Sequence, residues 1–367
     1  MITNTQKELA RWAMEYALKN GCQAARVALY NNSNTSFEIR DMKIDRLQQA
    51  SENGMSIHLF TDGRYGSFST NRLDRKELES FIRNGIDSTR YLAEDKARAL
   101  PDPALYYKGG GADLQLYDAA FESVHPDDKV GLAMKVCDEI MGKDERIISA
   151  GSSYNDGDSF RYMVASNGFE GEASNTFFSL VGTVSIRGEG DARPESYWFD
   201  SSLYYDTLIK EGIGTKALER VRRKLGQRKI ASARMPMVVD FLSSARLLSP
   251  VINALYGSSI QQKNSFLLDK LNQKTLGEKM TLTDEPHLLR SSGARYFDSE
   301  GIATQQRKVF DQGILQTYYI DTYYANKLGT QPTVSSPSIL TMPLGTKDMN
   351  GLVASVDKGV LVTGFNG

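Results

Sequence analysis

The sequence predicts an α+β fold built from helices and antiparallel or mixed sheets. Two observations support this prediction: amphipathic stripes typical of helices flank runs of strand residues, and the turns between those runs contain pairs such as Asp62-Gly63 and Asn167-Gly168. Such pairs favour two-residue hairpins, in which neighbouring strands are antiparallel. The chain of 367 residues is 40% hydrophobic and 24% charged, which is the composition of a globular protein with two or three units.

Residues 1–105 are predicted to form an N-terminal α+β unit. Thr5 to Glu8 has the pattern of a capping box, so a helix is expected from there to Asn20-Gly21. Asp74 is expected to cap a second helix. The strands predicted between the two helices cover 25–30, 37–40, 43–48, 55–61 and 65–70, with a turn over the polar residues 31–34.

Residues 112–232 are predicted to form a central α+β unit after a linker rich in proline and glycine. Pro126 is expected to open one helix, and a basic helix is expected over 207–226. The strands predicted between these helices cover 147–154, 160–165, 169–173 and 177–187, with Asn155-Asp-Gly157 as one of the turns.

Residues 235–367 are predicted to form a C-terminal unit. A buried strand from Met237 to Phe241 leads into a helix that Ser243 or Ser244 caps and Gly257 ends. The other predicted elements are a hairpin over 305–320, a short helix closed by Gly329, an exposed loop over 331–341 and a last strand over 359–363. Because nothing follows that strand to pair with it, the unit is expected to be truncated.

Composition narrows the class of function. The formal net charge is −1, so no overall field draws the protein to nucleic acid or to an anionic membrane. Two cysteines and three histidines argue against a disulfide framework and against a histidine-rich metal centre. The sequence shows neither a secretory signal nor a membrane span, so a cytoplasmic protein is expected.

A basic run from Lys216 to Arg234 contains eight cations and one acid. Clustered cations neutralise phosphates in nucleic-acid binding, but the run lacks the aromatic side chains that stack on bases. A solvated helix face is therefore the favoured interpretation, and nucleic acid is not expected as a partner.

Asp298 and Glu300 are a pair of carboxylates two positions apart. In a strand both would share a face and could reach one cleft, where they would orient a peptide amine or bind a cation. Asp-Ser-Glu-Gly is also favourable turn chemistry, and this interpretation is preferred. A serine nucleophile has less support, because Ser355-Val-Asp-Lys358 lacks the helical context that a Ser-x-x-Lys motif needs.

Several strings in the C-terminal unit resemble one protein family: 297–301, 309–315, 318–329 and 361–367. They are similar to the TldD/PmbA (TldE) family, whose members are also called modulators of DNA gyrase. The resemblance extends over essentially the whole chain in family order. It implies a multi-unit fold of the TldD/PmbA kind and a family segment, rich in glycine, beyond residue 367.

In the TldD branch of that family, the helix corresponding to 247–257 carries a His-Glu-x-x-x-His zinc motif. Ser249, Pro250 and Ala254 occupy the matching positions here. The resemblance therefore implies the PmbA/TldE branch, with no catalytic residue, metal or other cofactor in this chain. Ser249, Asn253, Asp298 and Glu300 are the candidate residues of a substrate cleft.

The same resemblance implies a heteromer with a TldD-type subunit that holds the zinc and acts on peptides, with a homodimer as a further possibility. Pairing of sheet edges or faces is the expected way to assemble. Two alternatives remain open: a regulatory protein that binds DNA gyrase or nucleic acid, and an independent hydrolase that uses no metal.

Overall fold

Six long strands form the main sheet of the protein, which is described by a computed structural model over residues 1–365. All neighbouring strands are antiparallel, and their order is β3-β2-β1-β4-β5-β6. Their bounds are β1 Ala24–Arg40, β2 Lys43–Thr61, β3 Arg64–Thr70, β4 Ile147–Ala165, β5 Glu170–Ile186 and β6 Glu195–Ser202. The predicted α+β class with antiparallel sheets is confirmed.

The strands are longer than predicted because they include polar residues that were predicted to form turns. The residues at 31–34, predicted as a turn, lie inside β1, and Asn155-Asp-Gly157 lies inside β4. These side chains bond across the ladder instead of turning the chain: the Ser159 hydroxyl donates to Asn32 Oδ1 at 2.7 Å. The Ser36 hydroxyl likewise donates to Asn155 at 2.8 Å. Cross-strand hydrogen bonds of this kind hold polar residues in a sheet.

Both tight turns at the β2 ends require backbone conformations with positive φ. Asp62 and Gly63 have φ of 51° and 70°, so the predicted hairpin between β2 and β3 is confirmed. Asp41 and Met42 make the equivalent turn between β1 and β2, with φ of 48° and 62°. The Asp41 carboxylate stabilises that turn by accepting the Ala150 N–H at 2.8 Å.

Four helices pack on one face of this sheet: α1 Asn4–Lys19, α2 Arg75–Arg90, α3 Pro126–Asp138 and α4 Ile213–Arg222. Asp74 caps α2 and Pro126 opens α3, as predicted. The capping box of α1 is formed by Thr3 and Gln6, so the predicted box at Thr5 to Glu8 is wrong by two residues. The helix predicted over 207–226 begins only at Ile213, after Gly212 with φ 77°.

The chain forms two units, and each has its own hydrophobic core. Unit 1 comprises Met1–Glu94, Gly109–Arg228 and Leu289–Ser292. Unit 2 comprises Asp95–Lys108, Lys229–Leu288 and the chain from Gly293 onward. The segments predicted as separate units, 1–105 and 112–232, share one sheet because β1 pairs with β4 along most of its length.

Unit 2 contains a four-stranded antiparallel sheet and a two-stranded parallel one. The larger sheet has the order β10-β9-β8-β11, and the smaller pairs β12 with β7. The strands are β7 Met237–Val239, β8 Leu282–Asp284, β9 Arg307–Asp311, β10 Ile314–Leu315, β11 Leu340–Thr341 and β12 Val360–Val362. The helices are α5 Phe241–Asn253, α6 Gly257–Gln261, α7 Thr322–Leu328 and α8 Met349–Ala354.

Several boundaries in unit 2 differ from those predicted. Asp240 caps α5, because its carboxylate accepts the Leu242 N–H at 3.2 Å, so Ser243 and Ser244 lie inside the helix. Gly257 opens α6 and does not end α5. The last strand, predicted to lack a partner, pairs with β7 in parallel register. Gly329 closes α7 with φ 65°, as predicted.

None of the helices among residues 1–365 is long and apolar enough to cross a lipid bilayer.

Candidate functional site

Helix α5 and Ala254, the residue directly after it, carry the positions that correspond to the family's zinc motif. The Ser249 hydroxyl donates back to the Ala245 carbonyl of its own helix at 2.8 Å. Pro250 has no N–H to donate to the Arg246 carbonyl, so α5 lacks one of its backbone hydrogen bonds there, and the helix ends at Asn253. Ala254 is only 6% exposed and packs in the core of unit 2. These side chains offer neither an imidazole nor a carboxylate.

Asn253, the other candidate residue on α5, bonds to the segment that follows the helix. Its backbone carbonyl accepts the Ser259 hydroxyl at 2.8 Å, which joins the end of α5 to α6. Phe241 and Leu247 are exposed on the same helix, and Ser243 is its one buried residue. The surface of α5 therefore mixes apolar and polar side chains, and the helix contains no acid, histidine or cysteine.

Asp298 lies in a turn and is 1% exposed. Its Oδ1 accepts the N–H groups of Glu300 at 2.8 Å and Ile302 at 3.0 Å, and its Oδ2 accepts the Ser335 N–H at 2.8 Å. A carboxylate that accepts three backbone donors is fixed in position. The segment thus forms the turn that was the preferred interpretation, not a strand.

The Glu300 carboxylate bonds to Thr322. Its Oε2 accepts both the backbone N–H and the hydroxyl of Thr322, each at 2.8 Å. Thr322 is the first residue of α7, where an anion is favoured by the unpaired amides of the helix. The two carboxylates therefore bind to separate parts of the unit 2 framework.

Asp284 is a buried carboxylate that the sequence did not reveal. It is 1% exposed, and its Oδ1 accepts the N–H groups of Ser338 at 3.0 Å and Ile339 at 3.1 Å. Its Oδ2 accepts the Tyr319 hydroxyl at 3.2 Å, and burial together with this carboxylate raises the pKa of Tyr319 far above its ordinary value. Burial lowers the pKa of nearby Arg307, which the charge of Asp284 opposes.

These contacts fix the segment 331–341, which was predicted to be an exposed loop. Arg295 adds four contacts, from its guanidinium to the carbonyls of Ser336 and Pro337 and to the hydroxyls of Ser336 and Ser338, at 2.7 to 3.1 Å. Most of the segment is half-buried, and Val334 is 1% exposed. The prediction failed because the side chains that hold the segment lie more than thirty positions earlier in the chain.

Several cations of the basic run around α4 make intramolecular contacts. Arg222 donates to Asp144 and to the Lys143 carbonyl, each at 2.8 Å, and Lys216 and Arg220 lie 5.1 and 5.4 Å from the ring centroid of Trp198. Arg146 and Arg222 hold the pKa of Asp144 well below its ordinary value. Such contacts are typical of a solvated helix face.

Family models cover most of the chain. Those of the PmbA/TldA metallopeptidase family match domain 1 over residues 25–89, the central domain over 119–225 and the C-terminal domain over 232–367. The chain belongs to the PmbA/TldD family. The resemblance expected from the sequence is therefore confirmed.

Curated members of the PmbA/TldD family match over nearly the full chain. The chain is 28% identical to a metalloprotease PmbA homologue of Haemophilus influenzae, covering 98% of this chain and 80% of that relative. It is 26% identical to the metalloprotease PmbA of Escherichia coli O157:H7, with coverage of 90% and 74%.

Solved structures of PmbA/TldD proteins have the same fold. A proposed modulator of DNA gyrase from Bacteroides thetaiotaomicron is 65% identical, with a TM-score of 0.98 over 100% of this chain and 84% of that one. TldE from Thermococcus kodakarensis shares the fold at 19% identity, with a TM-score of 0.78 over 98% of this chain and 82% of that one.

The names of these relatives imply a metal, and the residues of this chain do not fit one at the expected place. Zinc in a peptidase needs imidazole, carboxylate or thiolate ligands, and α5 supplies none. Within residues 1–365, no group of three or more His, Cys, Asp or Glu side chains is placed to hold a metal ion.

Proposed function

We propose that this chain is the PmbA/TldE-type subunit of a two-chain metallopeptidase that acts on peptides, and that a TldD-type partner holds the zinc. The observation that carries the proposal is the chemistry of α5. Serine, proline and alanine stand where two imidazoles and a carboxylate are needed, and the serine bonds to its own helix. This chain then supplies assembly and substrate contacts, while bond cleavage belongs to the partner.

The outer edge of β2 is suited to assembly with such a partner. β3 pairs with Met55 to Thr61 only, so β2 continues for a further twelve residues, 43–54, beyond the end of β3. Residues 43–53 are all exposed. A strand edge with unpaired N–H and C=O groups is a ready site for pairing with another chain.

The orientation of the backbone groups on that edge follows from the ladder. The Phe60 carbonyl accepts the Gln23 N–H at 2.9 Å, so Phe60 directs its backbone groups toward β1. Because the direction alternates along a strand, Gln49 directs its N–H and C=O to the open edge. Gln49→Pro removes one outward donor without removing a bond to β1, whereas Gln49→Ala keeps the donor.

Co-purification with a TldD-type paralogue from the same genome tests the proposal. We expect a stable complex, zinc bound in proportion to the TldD-type chain alone, and peptidase activity that chelation abolishes. We expect Gln49→Pro to reduce recovery of the partner and Gln49→Ala to preserve it. Stoichiometric zinc on the purified chain, with activity in the absence of any partner, contradicts the proposal.

The alternative of an independent hydrolase without metal has a direct test. Asp298 and Glu300 are engaged with the backbone of unit 2, which does not favour a shared catalytic role. Peptidase activity of the isolated chain that survives chelation and is lost in Glu300→Gln would establish it.

The regulatory alternative takes its support from the relative described as a proposed modulator of DNA gyrase. DNA binding through the basic run would weaken steeply with salt and disappear on charge reversal at Arg222 and Arg223. Since Arg222 is already paired with Asp144, we expect no specific binding.

A further inference from the structure

The second face of the six-stranded sheet carries a basic cluster. Residues alternate between faces along a strand, and the four helices of unit 1 pack on the face that contains Val27 and Leu29. Arg26 and Tyr30 therefore point to the opposite face. The registers place His58 directly across from Arg26, and Arg161 directly across from Tyr30, on that same face.

His58 is held in place and uncharged at neutral pH. Its Nδ1 lies 2.7 Å from the Tyr65 hydroxyl, and the two rings are stacked with centroids 5.9 Å apart. Burial lowers the pKa of His58 to about 4, and the positive charges of Arg26 and Arg161 contribute in the same direction. The positive charge of the cluster thus belongs to the arginines, and the imidazole adds a neutral hydrogen-bonding group.

Arg26 is half-buried, and within residues 1–365 its guanidinium makes no ion pair or hydrogen bond to another side chain or carbonyl. The acids on the same face of the sheet are Glu38, Glu52 and, on the edge strand β6, Glu195. Glu52 is six strand positions from His58, which corresponds to about 20 Å. A half-buried guanidinium favours an anion as partner, and the strands provide none nearby.

The surroundings favour an organic anion over a free inorganic ion. Phe60 packs on Tyr65 with ring centroids 5.2 Å apart, and the Tyr30 ring covers Gly54, where an added Cβ would lie 2.3 Å from its hydroxyl. Met163 is fully buried on this face beneath Arg161, which contacts its sulfur at 3.5 Å. Aromatic and apolar groups around a guanidinium suit a peptide that ends in, or contains, a carboxylate.

We propose that the cluster of Arg26, His58 and Arg161 binds the C-terminal carboxylate of a peptide lying on this face of the sheet. The guanidinium of Arg26 would bind the carboxylate oxygens, and the aromatic rings would contact the preceding residues. This inference rests on the proposed function, because it assigns to this chain the binding of the peptide on which the complex acts.

Calorimetric titration of the full chain tests the inference. The probes are an N-acetylated, alanine-rich hexapeptide with a free C-terminal carboxylate and the same peptide as a C-terminal amide. We expect the free acid to bind about tenfold more tightly than the amide, since a charge-assisted bidentate contact is lost in the amide. In Arg26→Met the two peptides should bind equally.

Arg83→Met is the matched control, because it removes the same charge from an exposed position on α2. It should preserve the preference for the acid. Arg26→Lys is a second variant, in case Arg26→Met misfolds. It keeps the positive charge but loses the planar guanidinium, so it should bind the acid with intermediate affinity.

Equal affinity for acid and amide in the native chain overturns the inference while leaving peptide binding intact. Absence of binding by both peptides also overturns it, and the subunit role is then judged separately by co-purification with the TldD-type chain. If inorganic phosphate binds in an Arg26-dependent way and the acid does not compete, the cluster is a phosphate site and the inference is wrong.

Discussion

Acidification should destabilise this protein through His58, and the structure gives the magnitude. The folded-state pKa is about 4 against an ordinary value of 6.5, so the unfolded chain binds the proton more readily. The contribution of neutral His58 is fully present above pH 6.5 and is lost as the pH falls toward 4. With these two values, linkage gives a loss of about 2 kcal/mol between pH 7 and pH 5.

Chemical denaturation of the native chain and of His58→Gln at both pH values measures this loss. Glutamine can still accept the Tyr65 hydroxyl but does not titrate, so the variant should lose about 2 kcal/mol less than the native chain. Ser67→Ala is the control, because Ser67 lies directly opposite His58 and is exposed. Parallel pH dependence of the native chain and His58→Gln would refute the reasoning.

Three further substitutions test the framework by denaturation at pH 7. Asp298→Ala should lower the free energy of unfolding by about 3–5 kcal/mol, since three backbone donors lose their buried carboxylate acceptor. Asp298→Asn should lower it less, and equal losses in the two variants would contradict this. Glu139→Ala should cost about 1–2 kcal/mol, because the carboxylate bonds three N–H groups at the start of α4, and an unchanged midpoint would count against that capping role. Gly54→Ala should lower the free energy of unfolding by about 1–3 kcal/mol, because the added Cβ meets the Tyr30 ring. Combining it with Tyr30→Ala should recover part of that loss, and additive effects of the two substitutions would disprove the contact.

Features set by neighbouring residues could be predicted from the sequence. The Asp62-Gly63 hairpin, the Asp74 cap and the Gly329 helix end each depend on the conformation or hydrogen bonding of a few adjacent positions. The family resemblance was also readable, because it depends on strings of consecutive residues. The composition of α5 follows directly from the sequence and needs no structure.

Features that depend on distant partners could not be predicted in this way. The polar residues of β1 resemble a turn until β2 and β4 pair with them, and Ser33 bonds to Asp158 far along the chain. Asp284 has no local signal, since it bonds to Ser338 and Tyr319. For the candidate site, the sequence identified Asp298 and Glu300 as polar residues of interest, but only the contacts show that each binds a different part of unit 2.

The pairing of β12 with β7 joins the beginning of the unit 2 segment that contains α5 to a strand near residue 362. The Asp240 N–H at the start of α5 donates to the Val362 carbonyl at 2.9 Å, so the helix that carries the family's zinc positions is anchored by a strand far later in the chain. On a ribosome, α5 therefore acquires this anchor only after the whole intervening segment has emerged. A protease that cuts the chain between β7 and β12 would leave two fragments that the pairing of these strands still holds together.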